Sequence, residues 1–207
     1  MKSIFAVSLL IAAAPAHAAD APFDPNQVDL VDAIECRLEA PSYNGFAVAV
    51  EGDEKIASRR HWARVANSNP FMNEYDLPAP ITVAGHFSTR RIAFTANAVL
   101  AVLDLADPAE IARPLAIENA MDPNPLIDFI VSSGKATRAE AEAQIKFRKF
   151  LGEKVISDIT ELPAENETFG AHIVITRNIS NATTHPGRTF YGCSYRVELI
   201  GKDGKPL

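Results

Sequence analysis

Residues 188–200 read Arg-Thr-Phe-Tyr-Gly-Cys-Ser-Tyr-Arg-Val-Glu-Leu-Ile, and this stretch carries the clearest structural signal in the chain. Its side chains alternate with a period of two, which is typical of a strand with one face in the core and the other in water. The buried face would carry Tyr191, Cys193, Tyr195, Val197 and Leu199, and the exposed face Ser194, Arg196 and Glu198. The stretch therefore predicts a half-buried strand with Cys193 turned inward.

The chain has only one other cysteine, Cys36, far away in the sequence. An even number of cysteines in an exported protein favours a disulfide, and two buried free thiols are the alternative. A Cys36–Cys193 bond would close a very long loop, which in the chain-entropy model stabilises the fold by about 5 kcal/mol at most. We expect this bond to be structural, because the sequence contains no Cys-x-x-Cys motif.

Other segments predict further strands and several helices around this strand. Strand-like patterns occupy residues 34–40, 81–84, 91–95, 99–103, 154–161 and 169–177, whereas residues 68–80 are interrupted by prolines and predict a loop. Helix-start signals occur at Asp24-Pro25, at Asp107-Pro108 and at the Thr137-to-Glu140 capping box, whose helix should end near Gly152. A further helix is expected over 53–67. The sequence therefore predicts an α+β fold, with an antiparallel sheet of about five to six strands and three to four helices packed on one face.

The N-terminus predicts export. Met1-Lys2 is followed by an apolar run of about a dozen residues and by Ala16-His17-Ala18, which together match a cleavable secretory signal. The alternative is a membrane anchor, but a span needs about 20 apolar residues. We therefore predict a signal peptide at residues 1–18 and a single exported domain over 19–207, in the periplasm or outside the cell.

Composition narrows the class of partner. The 207-residue chain has a formal net charge of −6 and 47% hydrophobic residues, which is ordinary for a globular domain. An acidic chain has no overall attraction for nucleic acid or for anionic membranes. We therefore expect no nucleic-acid partner and no membrane span, and we expect another protein or an anionic envelope component as the partner.

The histidines beyond the predicted signal show no recognised metal-binding or catalytic spacing. They are His61, His86, His172 and His185. The chain also lacks a Gly-x-Ser-x-Gly elbow and a phosphate-binding glycine loop. His86 lies near Ser88 on an expected turn, where both are either ordinary turn residues or part of a site assembled in space. The sequence therefore predicts no metal and no cofactor.

One local segment departs from the acidic average. Residues 55–64 carry four basic residues, no acid and the chain's only tryptophan. Arginine and tryptophan are enriched at binding hot spots, and arginine also suits carboxylate or phosphate ligands. The alternative is a solvated helix face with Trp62 packed in the core. The candidate binding residues are Arg59, Arg60, His61, Trp62 and Arg64, with His86, Arg90 and Arg91 on the nearby turn.

Two hypotheses of different classes follow. The first is a non-catalytic periplasmic or secreted interaction protein, such as an inhibitor, an immunity protein or an envelope accessory factor, because the sequence contains no catalytic motif. The second is a hydrolase whose site is assembled from distant residues, with His86, His172 or His185 as the base.

Overall fold

The structure is a computed structural model that describes residues 23–66, 69–121, 123–144 and 150–207. The predicted signal peptide lies outside these residues. None of the described helices has the length and apolar character that a membrane span requires.

Seven strands form one antiparallel sheet in the order β1-β2-β3-β4-β7-β6-β5. Their bounds are β1 Ala63–Val65, β2 Asn73–Val83, β3 Phe87–Phe94, β4 Ala98–Leu103, β5 Leu151–Glu161, β6 Gly170–Ser180 and β7 Thr189–Ile200. Strands β2, β3 and β4 form one meander and β5, β6 and β7 form another. The two meanders join where β4 pairs with β7, from Ala98 opposite Ser194 to Leu103 opposite Thr189. The predicted α+β class is therefore confirmed, with more strands than expected.

Six helices accompany the sheet. They are α1 Leu30–Ile34, α2 Ala40–Glu51, α3 Ile56–Arg59, α4 Ala109–Ala112, α5 Asn124–Ser132 and α6 Arg138–Gln144. The first begins cleanly because the Asp29 carboxylate accepts the amide hydrogens of Val31 and Asp32. Helices α1 and α2 contact the sheet, whereas α5 packs mainly against α6. The helices are thus more numerous than predicted.

The main core lies between the sheet and the N-terminal helices, on what we call the helix face of the sheet. Strand β4 is buried along its whole length, as its continuous apolar sequence predicts. Tyr43 of α2 stacks on Tyr195 of β7 with ring centroids 4.2 Å apart, and the Tyr195 hydroxyl donates to the Ala33 carbonyl over 2.7 Å. Tyr191, Cys193 and Tyr195 of the predicted inward face are therefore buried against the helices, whereas Val197 and Leu199 are 38% and 49% exposed, so the predicted burial of these two residues is wrong.

The predicted disulfide is confirmed beside this stack. Cys36 follows α1 and is bonded to Cys193 of β7, with the two Cα atoms 5.3 Å apart. The residue before it, Glu35, accepts a hydrogen bond from Arg177 Nη1 over 3.0 Å and another from the Tyr191 hydroxyl over 2.7 Å. Arg177 is the strand neighbour of Cys193, so the ion pair and the disulfide hold the same two elements together.

The predicted strand over 34–40 is wrong. These residues end α1, form a turn and begin α2, and Cys36 adopts a positive φ of 59° within the turn. The polar positions of the alternating pattern have other partners, because Glu35 binds Arg177 and Arg37 binds Asp32. Pro41 lies in the first turn of α2, where its missing N–H costs nothing, so it opens a helix rather than ending a strand.

The predicted loop over 68–80 is wrong from Asn73 onward, where β2 begins, and the predicted helix over 53–67 is too long. Helix α3 ends at Arg59 and is followed by β1, and β2 begins at Asn73. Pro78 and Pro80 are tolerated in β2 because they lie where its register with β3 shifts, between Asp76 and Ile81. Proline lacks the backbone N–H that a regular strand pairing requires, and at such an irregularity the pairing is interrupted, so no donor is needed there.

The helix predicted from Thr137 begins as expected. The backbone and hydroxyl of Thr137 each donate to Glu140 over 2.8 Å, which completes the capping box. Residues 145–149 lie outside the described part of the chain. Residues 151 and 152 belong to β5, so the helix does not extend to Gly152 itself.

The burial of the tyrosines leads to a prediction about the stability of the fold at alkaline pH. Burial is the largest cause that raises the pKa of Tyr43, Tyr75, Tyr191 and Tyr195, which are all four tyrosines of the chain. An unfolded tyrosine ionises near pH 10. Because the folded pKa is the higher one, this contribution to stability is complete below about pH 10 and is lost as the pH rises further.

We expect tyrosinate absorbance and the loss of far-UV circular dichroism to appear together, in one step above pH 10. Titration of two or more tyrosines near pH 10 with an unchanged dichroism spectrum would contradict this packing.

Candidate functional site

The sheet has a second side, opposite α1 and α2, which we call the open face. Among the described residues, a small buried apolar cluster lies there, formed by Ala93, Ala98, Leu100, Val102 and Phe190. The loop over residues 181–188, between β6 and β7, covers part of this face. The rest of the face is accessible and contains two cavities.

A groove crosses the open face. It consists of two adjoining cavities of about 410 and 580 Å³ that share Thr95, Leu100 and Ser180. The first extends over β4, β7, β6 and the start of β5, and the second extends toward residues 69–73, just before and at the start of β2. We call the two together the open-face groove.

Uncharged polar side chains line much of the first cavity. They are Thr95, Asn97, Thr176, Asn178, Ser180 and Ser194. The Asn178 side-chain amide donates to the Thr176 carbonyl over 3.1 Å. No side-chain hydrogen bond is found for the other five within the described residues, so their hydroxyl and amide groups remain available to a ligand. Buried apolar side chains, Leu100 and Val174, lie between them on the floor.

The ends of the groove differ in character. At the β5 end lie two charged side chains, Glu153 and Arg196, and the Arg196 Nε atom is 3.6 Å from Glu198 Oε1. At the other end lies Phe71, whose side chain is 82% exposed. The groove therefore combines a hydrogen-bonding centre with one exposed aromatic ring.

A buried histidine–carboxylate pair anchors the 181–188 loop next to the groove. His185 Nε2 lies 2.7 Å from Glu74 Oε1, and Glu74 is 1% exposed. The His185 ring packs edge-on against Phe190, and Thr184 Oγ1 lies 2.9 Å from His185 Nδ1. Glu74 Oε2 is buried without a hydrogen-bond partner, so His185 is the principal compensation for this carboxylate.

His172, another predicted candidate base, also lies on the open face, but outside the groove lining. Its Nε2 atom is 2.9 Å from Asp158 Oδ1, and its Nδ1 atom is 3.7 Å from Glu198 Oε2. The third candidate, His86, is exposed in the β2–β3 turn and packs against Phe87. The structure does not bring the three histidines into one site.

The aromatic member of the predicted basic segment is internal. Trp62 is 9% exposed and packs among Phe46, Tyr75 and Phe94. Arg60 lies over the rings of Phe46 and Trp62 and donates to the Val28 carbonyl over 2.8 Å. Burial lowers the pKa of Arg60. Trp62 is therefore part of the core, and Arg60 attaches residues 26–28 to it.

Three other residues of that segment are exposed. Arg59 donates to the Asn26 side chain over 3.2 Å, His61 is exposed, and Arg64 is bonded to Glu51 and to Asn73 on the helix side. They stand apart from the open-face groove, and their predicted binding role stays a prediction.

The predicted residues of the turn and β3 lie on different faces of the sheet. Arg91 binds Asp76 through two hydrogen bonds of 3.0 and 3.1 Å on the open face, and this contact raises the pKa of Arg91. Arg90 is exposed and points to the other side, because neighbouring residues in a strand alternate. The eight predicted binding residues therefore do not form one continuous surface.

Within the described ranges, no group of three or more histidine, cysteine, aspartate or glutamate side chains has a geometry that holds a metal ion. No sequence pattern predicted the groove. Its lining residues come from several segments, with few from each, and Thr176, Asn178 and Ser180 resemble the outward positions of any strand.

The His185–Glu74 pair can be tested by substitution. His185→Leu should destabilise the protein by about 3–5 kcal/mol, because it leaves the buried Glu74 carboxylate uncompensated. The double variant His185→Leu/Glu74→Leu should recover most of that loss, because apolar replacement of both partners costs little. Urea unfolding measures both. A loss below about 1 kcal/mol in the single variant would contradict the anchoring role.

Comparison with known proteins gives no relative from which a function could be transferred. No family model, no curated protein and no solved structure matches this chain. Its function must therefore be argued from the geometry of its own surface.

Proposed function

We propose that this is a non-catalytic interaction protein of the periplasm or the extracellular space, and that it holds its ligand in the open-face groove. The proposed location rests on the N-terminal sequence, and the disulfide is consistent with an oxidising compartment. Inhibitors, immunity proteins and envelope accessory factors are the kinds of protein that this description covers.

The observation that carries the proposal is the unused hydrogen-bonding capacity of the groove. Thr95, Asn97 and Ser194 line a cavity of about 410 Å³, and no side-chain hydrogen bond engages them within the described residues. Ser194 belongs to β7, and Thr95 and Asn97 lie in the β3–β4 turn, where Thr95 N donates to the Ala98 carbonyl and Tyr195 N donates to the Asn97 carbonyl, each over 2.8 Å. These backbone hydrogen bonds hold the three side chains on a fixed support. Groups fixed in this way lose little entropy on binding.

The groove composition favours binding over turnover. Among the described residues, its walls contain no histidine and no cysteine, and Glu153 is their one carboxylate. General acid–base or nucleophilic catalysis needs a reactive group positioned against a base that is itself oriented by a third group. The groove walls offer no such set.

A hydrolase is the second candidate, and one observation favours it. Glu74, His185 and Thr184 form a carboxylate–imidazole–hydroxyl series with contacts of 2.7 and 2.9 Å. His185 also lines a cavity of about 260 Å³ formed by the 181–188 loop. Thr184 does not line that cavity, which weakens its claim to be a nucleophile. Turnover of generic ester, peptide or glycan substrates that His185→Ala abolishes would establish this reading instead.

Substitutions on the two sides of the protein test the proposal. Ser194→Trp places an indole in the groove, and Val48→Trp places the same side chain on α2, where Val48 is 74% exposed. Both immobilised variants and the native protein would be incubated with an envelope extract and with the culture medium. Bound protein and carbohydrate would then be quantified by mass spectrometry.

We expect at least one component to be retained by the native protein and by Val48→Trp, and to decrease at least tenfold on Ser194→Trp. Urea midpoints close to that of the native protein would show that both variants are folded. The same retained components on all three proteins, or none on any, would contradict the proposal. A parallel Arg59→Glu/Arg90→Glu variant tests whether the exposed basic residues contact an anionic partner.

A further inference from the structure

We propose that the ligand of the open-face groove is a neutral oligosaccharide chain. This inference rests on the proposed function, because it names the chemical class of ligand for the same site. Four features of the groove support it: the kind of polar group, the state of the backbone, the path across the strands and the exposed aromatic ring.

The polar groups match a sugar. The hydroxyls of Thr95, Thr176, Ser180 and Ser194 each donate and accept hydrogen bonds, and the Asn97 side-chain amide also does both. Sugar hydroxyls have the same double character, so each can be satisfied by such a neighbour. The apolar floor between these groups, at Leu100 and Val174, fits the C–H surfaces of a sugar ring.

The backbone disfavours an extended peptide as the ligand. A peptide that binds to a sheet commonly adds as a strand, through main-chain hydrogen bonds to an unpaired edge. The groove is lined by residues of β4, β7, β6 and β5; the first three strands are paired on both sides, whereas β5 is the edge strand of the sheet and pairs with β6 alone. The main-chain groups of β4, β7 and β6 are already used, so recognition over these three strands comes from side chains.

The path of the groove suits a chain rather than a single small molecule. Its lining begins near residues 69–73, passes β4, β7 and β6, and reaches β5 at residues 151–155. Neighbouring strands lie about 4.8 Å apart, so the groove from the end of β3 to β5 is about 20 Å long. That length accommodates several linked sugar rings.

The exposed aromatic ring and the charges of the lining also suit a neutral sugar. Phe71 offers a negatively polarised aromatic face to the positive C–H groups of a sugar at one end of the groove. Arg196 and Glu153 are the charged lining residues of the first cavity, and they carry opposite charges. With no net charge in its lining, the cavity favours a neutral sugar over an anionic one.

The test is a titration of the full-length, isotope-labelled protein followed by nuclear magnetic resonance. The probes are cellohexaose, chitohexaose, maltohexaose, glucose, a neutral Gly-Ser octapeptide and a sulfated hexasaccharide. We expect at least one neutral hexasaccharide to shift groove resonances with a Kd of about 1 mM or tighter, and glucose to bind at least tenfold more weakly.

Three variants locate the binding. Asn97→Leu removes the amide in nearly the same volume, and Phe71→Ala removes the aromatic face. Each should weaken hexasaccharide binding at least fivefold, whereas Val48→Ala on the helix side should leave it unchanged. Urea midpoints confirm that the variants remain folded.

Absence of binding by all three neutral hexasaccharides, or binding that neither groove variant weakens, would overturn the inference. Stronger binding of the octapeptide or of the sulfated sugar would overturn the neutral-sugar class as well. If the octapeptide or the sulfated sugar binds more strongly, the groove still binds a ligand, so the proposed function stands. If Ser194→Trp changes no captured component, the proposed function itself fails.

Discussion

The attachment of α1 and α2 to β7 and β6 is the constraint on which the rest of the structure depends. The Cys36–Cys193 bond supplies a covalent link, and the Glu35–Arg177 ion pair lies beside it. The ion pair is largely buried, with side chains 11% and 14% exposed, so separating its partners would leave uncompensated charge. Both links act between the same short turn and the same two central strands.

This attachment determines which side of the sheet is available for function. Helices α1 and α2 occupy the helix face, where Tyr43 and Tyr195 fill the core, and the 181–188 loop covers only part of the opposite face. The open-face groove therefore lies on a sheet whose other side packs against α1 and α2 at β7, β4 and β6. A floor supported in this way keeps its polar groups in place before a ligand arrives, which is the physical basis of the binding proposal.

Sequence patterns predicted the parts of the fold that depend on local regularity. The alternation over 188–200, the apolar run of β4 and the Thr137–Glu140 capping box all correspond to real elements. The pattern over 34–40 misled because Glu35 and Arg37 have long-range and helical partners that a period-two pattern cannot reveal. The first part of β2, residues 73–80, was missed because its prolines are tolerated only at a register shift with β3. The groove could not be predicted from a local pattern either, because several separate segments contribute its lining.

Native-state hydrogen exchange on a Cys36→Ala/Cys193→Ala variant tests the central constraint most directly. Amides of α1 and α2 should lose protection well before those of β4, because the helices lose their covalent link while the strand pairing remains. Helical protection equal to that of the native protein would show that the disulfide is dispensable. Simultaneous loss of protection in helices and sheet would show that the two layers are not separately stabilised, and either result would contradict this account.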